Sequence, residues 1–270
     1  MAKCWIELDQ DSSADALLKL SGSKTPGFTG TQEEAESASQ QLRKELVELQ
    51  ERLFAEGKHK VLVVLQAMDT GGKDGAIRRV FSGINPQGIN VARFAGPSAD
   101  ELAHDYLWRV HQKVPATGQI VVFNRSHYED VLAVRVNDLV PQKVWKKRYA
   151  HLRNFEQMLV DEGTIILKFY LHIDAEEQLE RLQARLDEPE KNWKFDEHDL
   201  EQRKHWDEYM HAFRDAIVET HQKDAPWYVI PANRKWFRDY AMLTIIVDTL
   251  KKLDPQFPKP TFDPAAIKVV

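Results

Sequence analysis

Residues 61–79, VLVVLQAMDTGGKDGAIRR, decide the fold. Val61 to Leu65 is an unbroken apolar, mostly β-branched run, the composition of a strand buried on both faces of a parallel sheet. A turn carrying Gly71 and Gly72 follows, and then Lys73. Glycines let backbone N–H groups turn inward around a phosphate, a lysine adds a positive point charge, and a helix starting near Asp74 aims its positive dipole end at the same spot. The stretch reads as strand, anion cradle, helix. Against the P-loop pattern GxxxxGK followed by Ser or Thr, Ala67 stands where the first glycine belongs and Asp74 where the metal-binding hydroxyl belongs. A plain strand and helix joined by a Gly-Gly turn is the alternative. Asp69 favours the cradle, because a carboxylate inside a phosphate loop makes most sense with Mg²⁺ between the two.

Working outward, 270 residues with 43% hydrophobic content can bury the core of one α/β domain. Cys4 is the single cysteine, which excludes an internal disulfide framework and a multi-cysteine zinc site. The N-terminus carries charges where a signal peptide needs an apolar segment, and no apolar run reaches membrane length, so the expectation is a soluble, cytoplasmic protein without a membrane partner. A net charge of −5 argues against a general nucleic-acid binder.

Residues 1–30, with Asp9, Asp11, Asp15, Pro26 and Gly27, read as an arm packing on the body. Thr31-x-x-Glu34 is a capping box opening a helix with Leu42, Leu46, Leu49 and Leu53 inward, stopped by Gly57. Ile89 to Ala95 reads as the second strand, broken by Gly96-Pro97 before a helix over 101–110. Ile120 to Phe123 is a further buried strand that runs into Asn124, Arg125, Ser126, His127, Tyr128, Glu129 and Asp130. In a doubly wound sheet such a polar strand tip lies beside the phosphate loop, at the carboxyl ends where ligands bind; a solvated turn is the bland alternative. His127 alone reads as a hydrogen-bonding residue.

A helix with Trp145, Tyr149, Leu152, Phe155 and Leu159 on one face carries Lys143, Lys146, Lys147, Arg148 and Arg153 elsewhere, either a solvated face or a polyanion track. Thr164 to Leu171 is a fourth strand, and Asp174-x-x-Glu177 caps a helix with Leu179, Leu182 and Leu186 inward and Arg181 and Arg185 on it. Residues 187–198, with Pro189 and large aromatics among charges, have the composition of a lid. Asp199-x-x-Gln202 starts a long helix with Trp206, Met210, Phe213 and Ile217 inward. The strand Trp227 to Ile230 and a helix using Trp236, Tyr240, Leu243, Val247 and Leu250 complete the alternation, which implies a parallel sheet covered on both faces. The division expected is an arm (1–30), a phosphotransferase domain (31–255) and a tail (256–270).

These features reach phosphoryl transfer but not the donor. AMDTGGKDGAIR, FNRSHYEDVLAVRV, LKFYLHID, RLDEPEKNWKF and APWYVIPANRKW, in this order between about Glu33 and Leu250, resemble the polyphosphate kinase 2 family, and more closely its class III subgroup. The resemblance implies a P-loop kinase of thymidylate-kinase-like fold, with a parallel sheet between helices and a mobile lid. It also implies transfer of the terminal phosphoryl group of inorganic polyphosphate to AMP and ADP, giving ADP and ATP, with Mg²⁺ (or Mn²⁺), in a homotetramer or dimer. By position, Asp69, Gly72 and Lys73 match the family's Walker A segment and Asn124-Arg125 its Walker B segment. Many relatives have Asp where this chain has Asn124, and the subgroup pairs that Asn with an acid, here Glu129.

On this basis Lys73 and the loop N–H groups, Gly71 and Gly72 included, hold the transferring phosphoryl, Asp69 and Glu129 hold the metal, and Arg125 neutralises the equatorial oxygens. Arg181, Arg185 and Asp130 are the nucleotide candidates, and Arg78, Arg79, Lys146 and Lys147 line the polyphosphate path. Transfer is expected to be direct and in line. The rival readings are an ATP-dependent nucleoside monophosphate kinase and a non-catalytic polyphosphate- or nucleotide-binding regulator.

Overall fold

The computed structural model describes residues 3–6, 17 and 19–269. Asp9, Asp11 and Asp15 of the arm lie outside them. In chain order the elements are α1 (Gln32–Glu56), β1 (Lys60–Gln66), α2 (Lys73–Val80), β2 (Ile89–Arg93), α3 (Ala99–Ala103), α4 (Trp108–His111), β3 (Gln119–Asn124) and α5 (Ala133–Val136). There follow α6 (Gln142–Asp161), β4 (Thr164–His172), α7 (Ala175–Asp187), α8 (Glu197–Lys204), α9 (Trp206–Thr220), β5 (Trp227–Pro231) and α10 (Lys235–Leu253).

The strands form one parallel sheet in the order β2-β3-β1-β4-β5. This is a P-loop kinase-like α/β fold. The register places Leu65 opposite Asn124 and Gln66 opposite Tyr170, so the tips of β1 and β3 lie side by side where the strand order reverses. Alternate residues of each strand point to opposite layers. Val64, Phe123 and Tyr170 pack beneath α6 and α9, whereas Val63, Leu65, Val122 and Phe169 pack beneath α1 and α10. β1, in the centre, is buried from Val61 onward on both faces, as its unbroken apolar run requires.

The start and stop signals of α1 act as their chemistry predicts. Thr31 and Glu34 satisfy each other's backbone N–H groups, and Gly57 turns the chain out at φ 65°. Elsewhere the structure corrects the sequence. The helix expected over 101–110 is two short pieces, α3 capped by Ser98 and α4 after a break at 104–107. Asp196, not Asp199, caps the helix after residues 187–194, because Asp199 is drawn to Arg185, and that helix breaks at His205 into α8 and α9. Asp174 sits at the start of α7 without capping it, since its carboxylate accepts instead from Gly22 N at 2.7 Å and Asn233 Nδ2 at 2.8 Å. Leu182 is buried, but Leu179 and Leu186 are half exposed, because α7 lies at the rim and only one narrow stripe meets the body.

The described part of the arm packs on the β5 side. Ile6 bridges antiparallel to Val229, and Cys4, Leu17 and Leu20 are buried. Residues 189–194 form a 3₁₀ turn with Trp193 turned outward. Among the described residues no helix is long and apolar enough to cross a membrane.

Candidate active site

The loop from Ala67 to Gly72 closes on itself before α2 begins. Gly71 N donates to Met68 O at 2.9 Å, and Gly72 enters the helix at φ 95°, a conformation side chains resist. A Cβ on Gly72 would also collide with the Arg238 guanidinium behind it. Thr70 in this loop and Arg125 in the facing one both have φ 62°, so each of the two tips carries a strained non-glycine residue.

Lys73 Nζ folds back to Ala67 O at 2.9 Å and Met68 O at 3.3 Å. Burial, reinforced by the Arg125 cation, pushes its ammonium pKa down; the carboxylates of Asp69, Glu129 and Asp74 oppose this. Across the gap Arg125 Nη2 meets Asp69 Oδ1 at 2.7 Å. Burial works against the Arg125 cation, but Glu129 and Asp69 outweigh it and hold its pKa above the usual value. Glu129 is shifted up by burial, with Arg125 and Lys73 as partial counterweights. With its amide turned to satisfy both ends, Gln66 donates to Glu129 Oε1 at 3.1 Å and accepts from Ser126 N at 3.2 Å.

The structure thus brings Asp69, Gly71, Gly72, Lys73, Arg125 and Glu129 together. Asn124 joins them in an unanticipated way, donating from Nδ2 to Asp74 Oδ1 at 2.5 Å. The carboxylate in this pair sits on the helix and the neutral partner on the strand. Asp130 lies one step aside, tied to Arg148 at 2.8 Å, with burial raising its pKa to about 6 against that pairing.

The remaining candidates scatter. Arg181 grips Thr70 O at 3.0 Å and Ala232 O at 2.7 Å, beside the loop. Arg185 binds Lys194 O and Asp199, both at 2.8 Å, and so holds the lid segment. Arg79 pairs with Asp239, and Arg78 is exposed. Lys146 and Lys147 are exposed on α6, and neither bonds to the loop.

Two supports of the loop escaped sequence reasoning. Arg238, 1% exposed, donates to Gly72 O at 3.2 Å and is charge-matched by Asp239 at 2.7 Å. Gln178, fully buried, donates to Asp69 O at 3.0 Å and is held in turn by Arg203 at 2.8 Å. The available signal was the adjacent Arg238-Asp239 pair among the apolar residues of the first turns of α10; Gln178 gave none.

Oxygen donors are what Mg²⁺ takes, and it is commonly held by one or two carboxylates together with substrate phosphates and water. Among the described residues no three acidic, imidazole or thiol groups converge as a ready-made metal site. Asp69, Asp74 and Glu129 ring Lys73 without closing on a point. That arrangement fits an ion brought in with phosphates.

The sequence profile described as Polyphosphate kinase 2 (PPK2) matches residues 30–258. The chain belongs to the polyphosphate kinase 2 family. Within that family it is 57% identical over 254 residues to a Meiothermus ruber protein named AMP/ADP-polyphosphate phosphotransferase, covering 94% of each chain. It is 47% identical to an ADP-polyphosphate phosphotransferase of Rhodopseudomonas palustris, over 80% of this chain and 79% of that one. The crystal structure of polyphosphate kinase 2 from Arthrobacter aurescens superposes with a TM-score of 0.92 at 40% identity, covering 97% of this chain and 93% of that one.

Proposed function

We propose that this chain transfers the terminal phosphoryl group of inorganic polyphosphate to AMP and ADP, forming ADP and ATP. The observation that carries the reading is the convergence of Lys73, Arg125, Asp69 and Glu129 at the paired tips of β1 and β3. Its substrates are those named for the Meiothermus ruber relative.

A transferring phosphoryl group spreads charge over its equatorial oxygens and needs fixed positive groups more than covalent help. Lys73 and the N–H groups at the start of α2 receive it, and Arg125 covers it from the β3 side. The bonds Lys73 now makes to Ala67 O and Met68 O, and Arg125 to Asp69, keep both cations aimed at the gap. Asp69 and Glu129 would hold Mg²⁺, which when bound supplies charge neutralisation between the phosphates. Arg181, beside the loop, is placed to meet a nucleotide phosphate, while Arg185 ties down the lid that covers it. Asp130 and Arg148 border the acceptor side. Transfer is direct and in line: His127, the imidazole just past the β3 tip, is fully buried with Nε2 engaged by Glu156 at 3.1 Å.

The test supplies AMP or ADP with long-chain polyphosphate or with ATP as donor. Polyphosphate-dependent, Mg²⁺-dependent formation of ADP and ATP is expected. Turnover of AMP with ATP alone would make the chain a monophosphate kinase, and binding without turnover would make it a regulator. A dimer or tetramer is expected by analytical ultracentrifugation.

A further inference from the structure

Residues 20–23, ahead of the stretch that the family profile matches, close a hydrogen-bonded knot over the ends of β4 and β5. His172 donates from Nε2 to Leu20 O at 2.8 Å, and Ala232 N donates to His172 O at 2.7 Å. Gly22 N donates to Asp174 Oδ1 at 2.7 Å, while Gly22 O accepts from Asn233 N at 3.0 Å. The Asn233 amide fills the centre: Oδ1 accepts from Asp174 N at 3.0 Å, and Nδ2 donates to Asp174 Oδ2 at 2.8 Å and to Ser23 Oγ at 3.1 Å. Gly22 is buried, and a Cβ there would stand 2.2 Å from Asn233 Oδ1 and 3.1 Å from His172 O, so any side chain at this position displaces the amide.

The knot fixes the two places between which Arg181 is strung. Asp174 precedes α7, which carries Arg181, and Asn233 lies in the turn before α10. Arg181 donates from Nη2 to Ala232 O at 2.7 Å and Asn233 O at 3.2 Å, from Nη1 to Thr70 O at 3.0 Å, and from Nε to Glu177 at 2.7 Å. A guanidinium is a rigid planar fork, so its direction follows its acceptors. A misplacement of about 1 Å at a reacting group, caused from far away, can cost about 100-fold in rate. We infer that the arm is a positioning element: Gly22, through Asn233 and Asp174, sets the carbonyls that aim Arg181 and, through Thr70 O, the strained loop that carries Asp69 and Lys73. The inference rests on the proposed place of Arg181 beside a nucleotide phosphate, and adds that residues ahead of the matched stretch govern it.

With long-chain polyphosphate as donor, Gly22→Ala lowers kcat/KM for ADP by about tenfold. Asn233→Ala, which removes the side-chain bonds without adding an atom, acts in the same direction and carries the test should Gly22→Ala not fold. In an Arg181→Ala background either substitution costs less than about twofold, because the group it aims is gone. Ile6→Ala, which disturbs the arm at its bridge to Val229, lowers the melting temperature but keeps kcat/KM within about twofold. Hydrogen exchange of the full-length chain is followed alongside, and it speeds up over residues 67–73 in Gly22→Ala and Asn233→Ala but not in Ile6→Ala. Equal losses with and without Arg181, a loss in Ile6→Ala as large as in Gly22→Ala, full kcat/KM in Arg181→Ala, or unchanged exchange over 67–73 would overturn the positioning role. Faster exchange over 67–73 in a chain whose wild type phosphorylates no nucleotide would leave the positioning standing and remove the proposed activity.

Discussion

Lys73 and Asp69 face the gap from the same loop, and each is expected to be needed for turnover. Lys73→Ala and Asp69→Ala should each lower kcat by about 100-fold or more, with melting temperatures little changed, because each removes charge from the transferring group or its metal. The Asn124 and Asp74 pair gives a sharper expectation. Asn124→Asp sets two carboxylates at a 2.5 Å separation, so activity falls; Asp74→Asn added to it restores a neutral-to-charged pair and recovers much of the loss. Glu129→Ala should lower AMP phosphorylation more than ADP phosphorylation, checked by initial rates at matched Mg²⁺, because the shorter acceptor depends more on charge placed at position 129. Asp130 adds a pH dependence. Its pKa rises from 3.8 to about 6 on folding, so the native state holds a proton that the unfolded chain has released. Stability from this group is present below about pH 4 and is lost as pH rises through about 6. Relative to Asp130→Asn, the wild type should lose up to about 3 kcal/mol across that window in urea titrations. Lys73, the glycines and the strand-tip polar residues were legible because loop chemistry is local in sequence. Arg238 and Gln178 were not, since each reaches the loop from an element more than a hundred residues downstream.

The 3₁₀ turn His127–Asp130, which carries Glu129, is held from behind by a buried polar network. Tyr128 donates to Glu156 at 2.7 Å, and Lys168, in the middle of β4, donates to the same carboxylate at 2.6 Å and to Thr220 O at 2.8 Å. Burial disfavours charge on Glu156, but Lys168 and His127 outweigh it and keep its carboxyl below the usual range. Removing one partner of such a buried pair strands the other. Lys168→Met should therefore cost about 3–5 kcal/mol in chemical denaturation, and the double variant Lys168→Met with Glu156→Gln should cost less than the single one. Strands and long helices were readable from periodicity and caps, as with Thr31, Glu34 and Gly57. The lid helices were not. Asp199 looks like a cap in sequence, yet the ion pair with Arg185 recruits it, and the true cap is three residues earlier.

At the scale of the molecule the sheet separates two environments. The segment after β3 that carries Glu129 and Asp130 runs into the α6/α9 layer, where Tyr128 and Val131 are buried, whereas α2 packs into the α1/α10 layer through Ala76 and Val80. Alternation of strand and helix made both layers predictable, but not which helix would present its charges to the loop, because that depends on how α1 and α10 pair across the sheet. Arg185 bonds to Lys194 O and Asp199 and so ties segment 187–198, the proposed lid, to α7; Arg185→Ala should raise the KM for nucleotide and speed proteolytic nicking within 187–198. The two layers also bear on the order of events. Under the proposed direct transfer, donor and acceptor occupy the gap together, and approach from different layers would let neither obstruct the other, so neither would have to leave before the other arrives. Reciprocal initial-rate plots at several fixed concentrations of the second substrate should then intersect rather than run parallel, the kinetic trace of a ternary complex reached by either branch.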